Sequence, residues 1–269
     1  MKNMKIIDSH VHIYPDKIAE RASASISGFY DIPVKYNGTV SKLLEICKRT
    51  GIVKCVACSV ATAPEQVGII NDYMSKAAEE SGGFFICLAA LHPAMSELEI
   101  ESELIRAESL NLRGIKLHPD FQKFRIDDPA VFKIYERAEG RLPILFHTGD
   151  KRYNFSNPER LANVLRRFPK LTAIGAHFGG WSEWGDCGCL ADFENLCVDT
   201  SSSLYELSSG SANKLISMYG EERVMFGTDY PMWDADGELE FIEKLNLSGR
   251  AKELILYGNA ARLYGLEEN

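Results

Sequence analysis

Short, mostly apolar runs rich in β-formers alternate with helix-patterned segments from one end of this chain to the other. That rhythm predicts βα units and a parallel sheet rather than a sandwich or a helix bundle. Eight runs stand out as strands: 5–13, 53–60, 84–93, 112–119, 142–148, 171–179, 196–202 and 223–229. Each lacks the strict alternation of a half-exposed strand, as expected where both faces are covered. Eight such units over 269 residues match an α/β fold of the (β/α)8 barrel type, which commonly takes about 250 residues. No Pro/Ser/Gly-rich linker or shift in composition divides the chain, so one domain over 1–269 is expected.

The helical segments carry their own punctuation. In NPERLANVLRRFP, Asn157 is placed to cap, Pro158 suits the first turn, Leu161, Val164, Leu165 and Phe168 share a face, and Pro169 stops the helix. Segment 64–81 has the same design with Val67, Ile70, Met74 and Ala77, and 128–139 and 250–264 follow with Ala and Leu. Residues 14–38 break the rhythm, since connections after a barrel strand usually take 2–6 residues. They read as a long loop over the active-site mouth, with Phe29, Tyr30 and Tyr36 facing substrate or packed on the barrel.

The charge balance, 38 acidic against 30 basic residues for a net −8, disfavours nucleic acid as a partner. The N-terminal stretch has no apolar signal core, and no segment approaches the length of a membrane span. A cytoplasmic enzyme with a small-molecule substrate, and neither membrane nor nucleic acid as partner, is therefore expected. Seven cysteines, several inside apolar runs, fit a reducing compartment. Cys187 and Cys189 do not have C-x-x-C spacing, and no second pair completes a thiolate site.

All six histidines fall near the C-terminal ends of expected strands, where barrel active sites are built. His10 and His12 are two apart, so on a strand both point to one face, and Asp8 shares that parity. A shared cation is the simplest way to make two crowded imidazoles favourable. His147 ends LPILFH, His177 ends LTAIGAH and Asp229 ends RVMFGTD, bringing further donors from separate strands. Gly175 and Gly227, two residues before His177 and Asp229, leave room beneath them.

The expected metal ligands are accordingly His10, His12, His147 and Asp229. Three imidazoles and a carboxylate suit one Zn²⁺, with Mn²⁺, Fe²⁺ and Co²⁺ as alternatives. The bound ion would keep a position for water or substrate and activate that water, with His177 and Asp229 as catalytic residues handling the proton. Lys116 and His118 in LRGIKLHP, and Trp181 in the loop after the sixth strand, are the expected substrate contacts. Lys116 has other readings open: a carbamylated bridge to a second metal, or an interior lysine balancing a carboxylate.

The stretches IIDSHVHIYP (6–15), GIKLHP (114–119), FHTG (146–149), GAHFGG (175–180), VDTSS (198–202), MFGTDYP (225–231) and YGNAARLYGL (257–266) together resemble the amidohydrolase-related family within the amidohydrolase superfamily of metal-dependent barrel enzymes. The resemblance spans nearly the whole chain. It implies His10 and His12 as first-strand ligands, His147 as the fifth-strand ligand, His177 as the acid/base histidine and Asp229 as ligand or base. A homodimer is implied at the same level.

Hydrolysis of an amide, ester or lactone is the leading expectation. The alternative is a non-oxidative decarboxylase of an aromatic or semialdehyde acid, for which Lys116, Arg125, Lys151 and Arg152 offer cationic contacts. A TatD-type nuclease resembles the chain less, because KLHP stands where that family has a glutamate. An inactive binding homologue would have no reason to keep every expected ligand.

Overall fold

The computed structural model of the protein describes residues 4–266; the outermost residues of the expected 1–269 domain lie outside the described residues. It is an α/β fold with parallel strands, in two compact units, Met1–Ala57 with Thr200–Asn269, and Cys58–Asp199.

In the first unit, β1 (Ile6–His12) is buried along its whole length and neighbours β2 (Ile52–Cys58). On its other side runs the chain that begins as β9 (Val224–Met225). Ser9 N–H donates to the Phe226 carbonyl at 2.8 Å, Asp229 N–H to His10 at 2.9 Å and His12 N–H to Tyr230 at 2.7 Å. Val11 and Tyr230 pair in parallel register. This ladder fixes Asp229 beside the two histidines of β1 through backbone alone. A helical run from Gly249 to Leu263, with a π-turn over Leu254–Gly258, closes the unit. Its Asn259 amide donates to the Glu221 and Val224 carbonyls, both at 2.7 Å, which gives the closing motif a structural role.

In the second unit, β4 (Ala89–Ala90), β5 (Ile115–Leu117), β6 (Ile144–Phe146), β7 (Ala173–Gly175) and β8 (Leu196–Asp199) pair in sequence order, all parallel. The register Leu117–Phe146–Gly175–Val198 aligns their ends. His118 and His147 therefore leave neighbouring strands at one level. α7 (Pro158–Arg167) forms as its sequence dictates: Asn157 Oδ1 accepts from Arg160 N at 3.1 Å, and Leu161, Val164 and Leu165 are buried. Each such side chain contributes about 1.5–3 kcal/mol when fully removed from water. In α3 (Val67–Glu80) the buried stripe includes Asn71, whose amide bonds both backbone groups of Ala90 at 2.7 and 3.1 Å.

Three expectations change. The stretch 14–38 is no loop: α1 (Asp16–Tyr30) occupies most of it. Its first half is made of good helix formers, and Asp31, at φ 54°, ends it by donating its N–H to Ser27. A stripe of small residues, Ala19 and Ser23, is all it buries, so no apolar periodicity announces the helix. The third expected strand is two, Phe85–Cys87 and Ala89–Ala90, broken at Leu88. The sixth ends at Gly175 rather than 179, because His177 and Phe178 turn into the left-handed region at φ 61° and 53°.

Candidate active site

β1 presents His10 and His12 to one side, as the two-residue spacing requires. Their Nε2 atoms lie 3.2 Å apart. Asp229 Oδ1 lies 3.7 Å from His10 Nε2 and 3.4 Å from His12 Nε2. Donors held about 2.0–2.2 Å from one ion at tetrahedral angles stand about 3.4 Å from one another, so this triangle has the size of one face of a coordination shell. Borderline nitrogen donors with a hard oxygen suit a small divalent cation, and the group fits one.

The atoms around the triangle hold its members in place. Ser201 Oγ lies 2.9 Å from His10 Nδ1, leaving Nε2 as the outward-facing nitrogen. Ser202 Oγ donates to Asp229 Oδ2 at 2.5 Å and accepts from Trp233 Nε1 at 2.7 Å. Asp229 itself sits at φ 60°, a left-handed conformation that costs a non-glycine residue about 1 kcal/mol or more. Asp8 shares the parity of the two histidines but is occupied elsewhere. Its carboxylate accepts from Thr228 N at 2.9 Å and Thr228 Oγ1 at 2.6 Å. Burial pushes its pKa up to about 7 against the pull of those bonds. It ties the chain ahead of Asp229 to β1. Gly227 lies beneath His10 rather than Asp229, since a Cβ there would stand 3.1 Å from that of His10.

The second unit holds the other expected residues. His147 Nε2 is 3.1 Å from the Gly149 carbonyl, which can only accept, so that nitrogen carries the proton in the neutral ring. His147 Nδ1 is then bare, and it faces His177 Nε2 at 3.0 Å. His177 Nε2 must in turn be the donor, and one carbonyl thus sets both tautomers. His177 is anchored through its backbone, its N–H donating to Asp199 Oδ1 at 3.0 Å and its carbonyl accepting from Trp184 Nε1 at 3.0 Å.

His118 is stacked between Phe121, with ring centroids 3.8 Å apart, and His147, at 4.0 Å, both within 8° of parallel. Its Nδ1 accepts from Phe121 N. Only a ring edge is left for any other contact. His118, Asp120 and His147 bring donor atoms within 4.8 Å of one another. Nearly parallel stacked rings, however, keep their in-plane lone pairs in separate planes, which do not meet at one point. Asp120 Oδ2 is bonded by Ser156 Oγ at 2.7 Å, and burial pushes this acid up to about 7.

Lys116 is buried on β5 in register with Leu145. Trp181 is half-buried, its backbone N–H donating to the Thr148 carbonyl at 2.8 Å, with the Arg152 guanidinium 5.8 Å from its ring. Arg152 is itself gripped by Asp150. His92 packs with Nδ1 accepting from Ala94 N, and burial holds its pKa down. None of the seven cysteines, all among the described residues, forms a disulfide, and Cys187 and Cys189 are turned to the carbonyls of Glu183 and Asp186. Tyr36 lies against Tyr230, ring centroids 5.8 Å apart, with its hydroxyl on Asp234 at 2.9 Å.

Sequence reasoning passed over Ser201, Ser202, Thr228, Trp233 and Asp120. Their signals were present: VDTSS and MFGTDYP contain three of them. Which hydroxyl reaches which ring depends on the left-handed turns at Ser202 and Asp229, and these leave no trace in periodicity.

Among the described residues, no helix is long and apolar enough to cross a membrane. A 2-amino-3-carboxymuconate-6-semialdehyde decarboxylase of Dictyostelium discoideum is 24% identical over 241 residues, covering 74% of this chain. The match spans 66% of that relative's length. A TIM-barrel protein from Bordetella bronchiseptica superposes with a TM-score of 0.81 at 21% identity, over 97% of this chain and 99% of the other. A dihydroxybenzoic acid decarboxylase from Polaromonas sp. JS666, solved with bound manganese and 2-nitroresorcinol, follows at 0.76 and 15%, over 99% and 98%. These likenesses establish the fold as the (β/α)8 type. The amidohydrolase family model matches residues 7–266, nearly the entire chain, and the protein accordingly belongs to the amidohydrolase family.

Proposed function

We propose that this protein is a metal-dependent, non-oxidative decarboxylase of a small planar carboxylic acid. The observation that carries the metal part is the triangle of His10 Nε2, His12 Nε2 and Asp229 Oδ1, with edges of 3.2, 3.4 and 3.7 Å. His147, expected from the sequence as a further donor, has Nε2 on the Gly149 carbonyl and Nδ1 on His177, so it would reach an ion only by giving up one of these contacts, and the metal content of a His147→Ala variant decides that role. The choice of lyase over hydrolase is supported by the curated relative, a decarboxylase matched over 74% of this chain. Asp229 adds to that support: its Oδ2 already accepts the Ser202 proton, and its Oδ1 faces two imidazoles, which makes it a better ligand than a base for water.

When bound, a divalent ion would supply a Lewis-acid anchor for substrate oxygens. His10, His12 and Asp229 would hold that anchor, with Ser201 and Ser202 keeping them aimed. In decarboxylation the bond from carbon to the carboxylate breaks, carbon dioxide leaves, and the electron pair stays on carbon until it takes a proton. His177 holds a proton at Nε2, backed by His147 Nδ1, and is the residue to which we assign that delivery.

Hydrolysis is the second reading, favoured by the family to which the chain belongs. There the same residues would ready a water for attack on a lactone, ester or amide. Incubating the metal-loaded protein with dihydroxybenzoic acids, aminocarboxymuconate semialdehyde and a lactone panel separates the two. Carbon dioxide release supports the proposal. Acid release from lactones without carbon dioxide overturns it in favour of hydrolysis.

A further inference from the structure

The metal triangle depends on how the Asp229 carboxylate is turned, and that orientation has an identifiable cause. Ser202 Oγ has two partners, Trp233 Nε1 at 2.7 Å and Asp229 Oδ2 at 2.5 Å. An indole N–H can only donate, so the serine oxygen accepts from Trp233. The serine has one proton of its own, and with the indole occupying an acceptor site that proton is directed at Asp229 Oδ2. The distance is that of a charge-assisted O–H to carboxylate bond. The chain of donors therefore runs one way, from indole to hydroxyl to carboxylate, and leaves Oδ1 as the oxygen that meets His10 and His12.

The indole is itself held in place. Tyr205 stacks on it with centroids 4.1 Å apart and planes 15° from parallel. Ser202 adopts φ 45°, a left-handed conformation that a serine takes only where its surroundings enforce it. We infer that Ser202 and Trp233 form a one-way hydrogen-bond relay that positions Asp229 as a metal ligand, and that Ser202 and Trp233 are positioning residues for the metal centre. The inference rests on the metal reading of His10, His12 and Asp229 given above.

The relay makes a prediction of unusual sign. In Asp229→Asn, the Ser202 proton would hold the amide oxygen and turn the NH2 group, which cannot bind a cation, toward the two histidines. Removing the hydroxyl then frees the amide to present its oxygen. The test is titration of chelator-stripped protein with Co²⁺, followed by visible absorbance, on the wild type, Ser202→Ala, Ser202→Gly, Trp233→Phe, Asp229→Asn and the Ser202→Ala/Asp229→Asn double variant.

Ser202→Ala should weaken Co²⁺ about tenfold in the wild-type background, the lower end of what outer-sphere partners of metal ligands contribute. Ser202→Gly suits the left-handed backbone and should do the same, separating the hydroxyl from strain. Trp233→Phe keeps the ring and loses only the N–H, and should cost less. In the Asp229→Asn background Ser202→Ala should strengthen Co²⁺ binding, where a merely structural serine would weaken it further. A double variant no tighter than Asp229→Asn, with the wild type binding normally, overturns the relay alone. A wild type that binds no Co²⁺ overturns both the relay and the metal reading.

Discussion

His147 Nδ1 lies 3.0 Å from His177 Nε2, and because the Gly149 carbonyl claims the other nitrogen of His147, the proton between the two rings belongs to His177. A proton held by a neighbour is one that chemistry can spend. The His177→Ala variant is expected to keep its metal and lose turnover by about 10²–10⁴-fold, the usual worth of a positioned acid. His12→Ala should instead lose the metal, because it removes a corner of the triangle with Asp229. Elemental analysis beside turnover on both variants checks this, and equal metal loss in the two would refute the division of roles.

Gly227 offers a way to disturb the centre without touching a ligand. A methyl group there would stand 3.1 Å from His10 Cβ and 3.4 Å from Ser201 Cβ, and those are the two residues whose contact aims His10 Nε2. Gly227→Ala should weaken divalent-metal binding in equilibrium dialysis while lowering stability by about 1–3 kcal/mol, the range for overpacking. Unchanged metal affinity would show that His10 tolerates the shift.

Two glycines with similar positive φ should respond very differently to alanine. Gly149 has φ 83° and its Cβ would fall 2.2 Å from Trp181 N, against backbone that cannot move aside. Gly140 has φ 74° with nothing within 4 Å. Gly140→Ala should cost about 1–2 kcal/mol, the left-handed penalty alone. Gly149→Ala should cost more than twice that, or prevent folding, as read from urea midpoints. Similar losses at the two sites would contradict the packing described here.

Glu238 sets a pH dependence. It is buried on α9 (Ala235–Lys244), with no hydrogen-bond partner for Oε2 among the described residues. Burial, and then the charges of Asp8 and Asp229, push its pKa up to about 8. Below the ordinary carboxylate value the folded and unfolded chains are both protonated, and the residue has no effect on the pH slope. From there to about pH 8 the folded chain keeps a proton that the unfolded chain has released. Stability therefore falls as pH rises through that window, by at most about 1.4 kcal/mol per pH unit. Glu238→Gln should match the wild type near pH 4 and melt progressively higher than it toward pH 8 in metal-stripped protein. Parallel melting curves across the window would argue against a proton on Glu238.

Much of this was legible in the residues. The two-residue spacing of His10 and His12 placed both nitrogens on one side of β1 because strand parity is a property of sequence alone. Asn157 and Pro158 announced α7 for the same reason, being local chemistry. Helix α1 was hidden because Ala19 and Ser23, the residues it buries, carry no hydrophobic signal. The true surroundings of His177 and Asp229 were hidden because both leave their strands through left-handed turns, and a parity argument extended past the strand end loses its meaning. Asp8 had the parity of a ligand and became a clasp on Thr228, a distinction that needs the partner's position.

The segment between α1 and α2 (Val40–Thr50) is stitched to the chain just beyond Asp229. Lys35 N–H reaches Pro231 and Met232, Tyr36 N–H reaches Pro231, and the Tyr230 hydroxyl returns to Thr39. Lengthening or shortening that segment would load the same few peptides from which Asp229, the proposed carboxylate ligand, hangs. Where relatives differ in length here, the proposed grip on the ion should loosen or tighten with them, although no ligand itself has changed.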